Sequence, residues 1–120
     1  MSYDKNNIFA KILRGEIPCK KIFENDYVLS FHDINPQKKI HALVIPKGEY
    51  IDLDHFNKKA SDKEITEFHR ALSHVASLLG ATDTGYRILS NIGSDGGQEV
   101  PHLHFHIFAG EKIGKMVSDK

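Results

Sequence analysis

Across His102-Leu103-His104-Phe105-His106-Ile107-Phe108, polar and apolar side chains alternate one for one. A period of two predicts a strand, with Leu103, Phe105 and Ile107 buried and the three imidazoles in a row on the other face, about 7 Å apart. A helix would scatter them around its axis. Pro101 is tolerated at the start of such a strand, where its missing amide is not needed. From Ser61 to Leu79 the spacing changes to three and four residues. Ile65, Phe68, Leu72, Val75 and Leu79 mark one face of a long helix, with Ser61 and Glu64 as a capping box and Gly80 as the stop. Ile8, Phe9, Ile12 and Leu13 predict a short amphipathic helix over Asn7 to Arg14, ended by Gly15.

Lys21 to Glu24 and Tyr27 to His32 read as a hairpin around Asn25-Asp26, and Asn35-Pro36 then breaks the ladder. The apolar run His41-Ala42-Leu43-Val44-Ile45, stopped by Pro46 and Gly48, suits a central strand. Tyr50 to Lys59 fits neither period. Tyr86 to Ile92 predicts a further strand, followed by Gly93-Ser94-Asp95-Gly96-Gly97-Gln98, whose glycines let backbone amides approach a ligand. The expected fold is α+β: an antiparallel sheet of about five strands with one long and one short helix.

The 120 residues suffice for one core, so residues 1–120 are read as a single domain, with a core of about 8–110 and a tail over 111–120. Sixteen basic residues balance sixteen acidic ones, leaving no global field to attract nucleic acid or an anionic membrane. Phosphate recognition must therefore be local. Cys19 is the single cysteine, and no apolar stretch has the length of a signal peptide or membrane span. The expectation is a soluble, cytoplasmic protein.

A row of histidines serves either a metal or a phosphorus centre. Zinc holds nitrogen at about 2.0–2.1 Å, so at most two members of a straight row reach one ion, and Asp33, Glu99 or His41 would have to complete the sphere. A polar face merely open to solvent leaves the adjoining glycine loop unexplained. Phosphate chemistry uses both features, because a neutral imidazole is a competent nucleophile near pH 7. His55, His69 and His74 read as surface residues without a role, the last two on the long helix.

His102-x-His104-x-His106 resembles the signature of the histidine triad proteins. Phe31-His32-Asp33-Ile34-Asn35-Pro36, His41 to Lys47, Asn91 to Gln98, and Ile8-Phe9 through Gly15-Glu16-Ile17-Pro18 resemble blocks of the histidine triad nucleotide-binding branch, so the likeness runs from Ile8 to Gly110. It implies a homodimer whose sheet continues across the interface, and hydrolysis or transfer at the α-phosphorus of a purine nucleotide, with phosphoramidates among the substrates. By the same resemblance His104 is the nucleophile and forms a covalent nucleotidyl intermediate. His106 contacts phosphoryl oxygens or the departing atom, and His102 and His41 orient the row through ring hydrogen bonds. Gly97, Gln98, Glu99 and Val100 match the phosphate segment, and Asn91 a polar pocket residue. Asp33 is placed at the ribose hydroxyls, and Ile8, Phe9, Ile12, Ile17, Phe31 and Ile34 around the base. For His41 and His102 the plain alternative is a hydrogen-bonded structural histidine, and for the apolar set it is core packing.

The chain departs from the family in ways that matter. Asn7 and Ala10 stand where many relatives carry a Cys-x-x-Cys pair that can hold zinc, and Gly48, Glu49 and Tyr50 replace a supporting histidine, so no metal or other cofactor is expected. Some animal relatives have a small hydroxyl residue in place of Glu99, whose carboxylate repels an anion unless it turns away. The chain contains no Trp, whereas some relatives use a bulky aromatic near the C-terminus. Alternative readings are a non-catalytic purine nucleotide or partner-binding module, a dinucleoside polyphosphate hydrolase, and a zinc-dependent enzyme.

Overall fold

The computed structural model describes residues 2–117. Eight elements follow in chain order: α1 (Ile8–Leu13), β1 (Lys21–Glu24), β2 (Val28–His32), β3 (Ile40–Pro46), α2 (Leu53–Lys59), α3 (Asp62–Leu78), β4 (Arg87–Leu89) and β5 (Phe105–Ala109). The strands form one antiparallel sheet in the order β1-β2-β3-β5-β4. The α+β architecture and five strands are as expected, but there are three helices rather than two. The additional one, α2, falls in the stretch without a clear period. Asp52 caps its N-terminus by accepting from the His55 amide, and Phe56 is buried, so one apolar anchor and one cap hold a seven-residue helix too short to show a stripe.

β3 occupies the middle of the sheet, which explains its unbroken apolar run. Ala42 and Val44 join Val28, Phe56, Phe68, Leu72, Val75, Leu103 and Ile107 in a core beneath α3. Leu43 and Ile45 turn to the opposite face and pack with Phe9, Leu29 and Phe31 beside α1. Both faces of β3 are therefore covered, and His41, buried in the same strand, shares the α1 side with Leu43. Burying each large side chain on these faces contributes about 1.5–3 kcal/mol. The capping box of α3 is present, with Ser61 accepting from the Glu64 amide and Glu64 reaching back to the Ser61 amide.

Three expectations are corrected at the far side of the sheet. β5 begins at Phe105, so His102 and His104 precede the strand, and Pro101 is not its first residue. The His102 amide instead donates to Val100 and the Leu103 amide to Tyr50, a turn that breaks the straight row. β4 covers only Arg87–Leu89, and just beyond it the Ser90 hydroxyl donates to the His104 carbonyl. Of the expected tail over 111–120, residues 118–120 lie outside the described residues. The Arg87 guanidinium donates to the carbonyls of Gly114 and Lys115, which lays the preceding part beside β4. Among the described residues no helix is long and apolar enough to cross a membrane.

Candidate active site

A pocket of about 260 Å³ opens on the α1 side of the sheet, lined by Phe9, Asp33, Gln37, Leu43, Asn91, Gly97, Glu99, Val100, His104 and His106. Residues from five separate stretches of chain meet there. The register sets Leu43 opposite His106 and His41 opposite Phe108, so the imidazoles of β3 and β5 face one another across the ladder. The rings of His104 and His106 are 5.1 Å apart, closer than the strand spacing predicts because His104 lies before β5. Phe108 stacks on His106 at 5.7 Å and lies 4.3 Å from His41, continuing the row under the pocket floor.

Obligate donors and acceptors determine where each imidazole proton sits. The Gln37 amide donates to His41 Nδ1 (3.1 Å), which makes that nitrogen an acceptor and places the His41 proton on Nε2. His41 Nε2–H then donates to His106 Nδ1 (2.9 Å), so the proton of His106 is on Nε2. Asp33 Oδ2 lies 3.3 Å from the same His41 nitrogen, a second acceptor for one proton. On the other branch, His104 Nδ1 donates to the His102 carbonyl (2.7 Å), leaving a lone pair on His104 Nε2. His102 Nε2 donates to the Pro46 carbonyl (2.8 Å), and its Nδ1 accepts from the Tyr3 hydroxyl (2.6 Å). The result is a neutral ring with an uncommitted Nε2 lone pair at His104 and an N–H donor at His106, side by side.

Burial keeps these rings neutral. It holds His102 far below the ordinary histidine value, at about 4, against the pull of its bond to Pro46. His106 is also pushed down to about 4, by burial first and then by the neighbouring His104 and His41 rings. Burial lowers His104 as well, opposed by the His102 carbonyl and the carboxylates of Asp33 and Glu99. His41 shifts the same way, with Asp33 opposing.

Asp33, His41 and His106 present ligand atoms within 4.8 Å of one another, a grouping of metal-ligating type. The hydrogen bonds around it suit a proton instead. A metal on His41 Nε2 would force the remaining ring proton onto Nδ1, where it would meet the Gln37 amide donor to donor, whereas ligating histidines give that proton to an acceptor. Asn7, at one position of the missing cysteine pair, serves the helix instead, its side chain capping α1 at the Ala10 amide.

The sequence profile of the HIT domain matches residues 14–113. The chain belongs to the HIT family. It is 57% identical over 117 residues to an uncharacterized 13.2 kDa HIT-like protein of Azospirillum brasilense, covering 98% of this chain and 96% of that one. Among solved structures, a HIT family hydrolase from Clostridium thermocellum superposes with a TM-score of 0.86 at 34% identity, covering 95% and 99% of the two chains. A histidine triad nucleotide-binding protein from Candida albicans superposes with a TM-score of 0.76 at 29% identity, over 96% of this chain and 86% of that one.

In this HIT chain the expected site residues separate into four groups. Phe9, Asp33, Asn91, Gly97, Glu99, Val100, His104 and His106 line the pocket. His41 and His102 lie behind it, each bonded to the row, but His102 acts on His104 through its backbone carbonyl rather than through its ring. Gln98 braces the loop: its amide donates to Ile51 and Val100 carbonyls and accepts from the Gly93 amide. Of the apolar set, Phe9 meets His104 edge-on at 4.9 Å, while Phe31 packs behind Phe9 at 5.8 Å. Ile12 joins that cluster, Ile17 is half-buried, Ile8 is exposed, and Ile34 stands 90% exposed.

Gln37, Leu43, Phe108 and Tyr3 are site residues that the sequence pattern does not single out. Period two carries a signal for Leu43 and Phe108, each two positions from a site histidine. None exists for Gln37, which acts through its backbone. The expected surface histidines differ among themselves: His69 and His74 are exposed on α3, whereas His55 is half-buried and accepts from the Ile51 amide.

Proposed function

We propose that this protein is a metal-independent nucleotidyl hydrolase of the histidine triad nucleotide-binding branch, acting on purine nucleoside phosphoramidates or related α-phosphorus substrates. The observation that carries the proposal is the His104 ring, whose Nδ1–H is committed to the His102 carbonyl while Nε2 keeps its lone pair in a residue lining the pocket. In the proposed reaction Nε2 attacks the α-phosphorus, the phosphorus–nitrogen bond to the leaving amine breaks, and the amine departs with a proton taken from solvent. The nucleotidyl-imidazole bears a positive charge that the His102 carbonyl and the Asp33 and Glu99 carboxylates stabilise, the same groups that favour a charged His104. Water then attacks phosphorus, the N–P bond breaks, and the nucleoside monophosphate leaves. His106 Nε2–H is the donor for a phosphoryl oxygen or the leaving nitrogen; one such donor is typically worth about 3–4 kcal/mol.

Backbone amides supply the rest of the phosphate contact. Among the described residues no acceptor takes the N–H of Glu99 or Val100, and no Lys or Arg lines the pocket. A hollow of about 320 Å³ between β1 and α3, lined by Phe23, Asn25, Glu67, Arg70, Ala71 and His74, is remote from the triad and plays no part. Within this reading the chain is a single cytoplasmic domain with one free thiol and forms a homodimer along β4, where Tyr86 and Ile88 are exposed. The measurement is release of adenosine monophosphate from an adenosine phosphoramidate, with mass spectrometry of the trapped adduct. Turnover by wild type, none by His104→Ala, and a nucleotidyl mass on His104 are expected. Equal turnover by His104→Ala overturns the proposal, binding without turnover makes the protein a nucleotide-binding module, and exclusive cleavage of dinucleoside polyphosphates changes the substrate class. Light scattering in solution tests the dimer.

A further inference from the structure

We infer that Tyr3, in the arm that precedes α1, is a positioning residue for the His104 nucleophile. Tyr3 lies outside residues 14–113, the part that matches the HIT domain. Its hydroxyl donates to His102 Nδ1 at 2.6 Å, and its ring meets the His102 ring edge-on at 5.6 Å. His102 has no exposed surface, so that nitrogen would otherwise be a buried acceptor without a partner. With Nε2 donating to Pro46 and Nδ1 accepting from Tyr3, the His102 ring is pinned at both ends. The residue so pinned offers its carbonyl to His104 Nδ1–H, the bond that leaves the His104 lone pair on Nε2. Tyr3 therefore acts two steps from the reacting atom, through the backbone of His102.

The arm is built to hold that position. The Asp4 carbonyl accepts from both the amide and the side chain of Asn7, and the Asp4 carboxylate accepts from the Asn6 amide. The Arg14 guanidinium donates to the Lys5 carbonyl, and Lys5 pairs with Glu49 at 3.1 Å. Burial raises the Tyr3 hydroxyl above its ordinary value, so it stays a donor at neutral pH. This inference rests on the proposed role of His104, and its test has one arm that does not need turnover.

The test compares Tyr3→Phe, which removes only the hydroxyl, with Tyr3→Leu, which removes the ring as well, both checked for a cooperative melt above the assay temperature. Ring nitrogen-15 shifts of His104, recorded without substrate, report its tautomer, and kcat and KM are measured on an adenosine phosphoramidate. For both variants we expect His104 to become a mixture of tautomers, and kcat to fall about tenfold with KM within twofold. Wild-type His104 shifts in Tyr3→Phe overturn the inference whether or not any substrate is turned over. A Tyr3→Phe variant that matches wild type while Tyr3→Leu loses activity also overturns it, because the ring then acts by packing alone. Altered shifts in Tyr3→Phe with no turnover even by wild type uphold the positioning of His104 and remove the hydrolase reading instead.

Discussion

Gly96→Ala tests whether the glycine loop is a built part of the site. Gly96 does not occupy left-handed backbone, so its conformation alone would accept alanine. Space does not: a Cβ there would meet the Ile92 carbonyl oxygen at 2.3 Å, its nitrogen at 2.8 Å and its carbonyl carbon at 3.1 Å, where ordinary contact starts at 3.4 Å. All three are backbone atoms, so no flexible side chain can give way, and one strand of the loop must retreat by about 1 Å. The Gly96 carbonyl is also held by the Asn91 side chain at 2.7 Å, which ties the displacement to two pocket residues, Asn91 and the following Gly97. A misplacement of that size in a positioning element costs about 100-fold in rate, and overpacking costs about 1–3 kcal/mol of stability. Gly97→Ala is the control. Gly97 has φ +78° with nothing within 4 Å of a Cβ, so alanine there adds about 1–2 kcal/mol of backbone strain without a collision. Urea melts, calorimetric Kd for adenosine monophosphate, and kcat/KM on a phosphoramidate are read for both. The expected result is comparable destabilisation, with a loss of kcat/KM about tenfold larger for Gly96→Ala. Wild-type nucleotide affinity and turnover in Gly96→Ala would show that the loop is not a built part of the site.

Acid should destabilise the fold through His102. The native ring takes a proton only near 4, whereas an unfolded histidine takes one near 6.5, so the unfolded chain binds more protons between these values. Stability is therefore complete above pH 6.5 and falls by about 3 kcal/mol from this ring as pH drops toward 4; urea midpoints over that range check it, and a flat profile contradicts it. Glu99→Gln removes a carboxylate from the pocket wall and should tighten adenosine monophosphate about fivefold at pH 8 and its singly charged methyl ester only about twofold. Equal tightening of both ligands shows that Glu99 does not act on the second phosphate charge. Ile34→Ser should alter stability by no more than about 0.5 kcal/mol, given 90% exposure, yet weaken nucleotide binding about tenfold if the side chain closes over the base. An unchanged Kd takes Ile34 out of the site.

Much of the fold was legible because its signals are local. The capping box and apolar stripe of α3, the apolar run of β3 and the turn at Asn25 each act within a few residues, and each element lies where its pattern places it. α2 was not legible, since seven residues with one buried Phe56 carry no periodicity. Period two also overran its strand. The alternation begins at His102, but the ladder begins at Phe105, because the His102 and Leu103 amides go to Val100 and Tyr50 instead.

Residue order alone establishes which chemistry the chain carries: three imidazoles at alternate positions behind a glycine loop, in a chain without net charge. What each imidazole does is assigned by folding. Proton positions on a neutral ring depend on which obligate donor or acceptor faces each nitrogen, and those partners, the Gln37 amide and the carbonyls of Pro46 and His102, are backbone groups of kinds that nearly every residue carries. Residue type cannot encode them. Folding brings β3 against β5 and the N-terminal arm against His102, and so turns three equivalent histidines into a ring with a free lone pair, a donor and a buried brace.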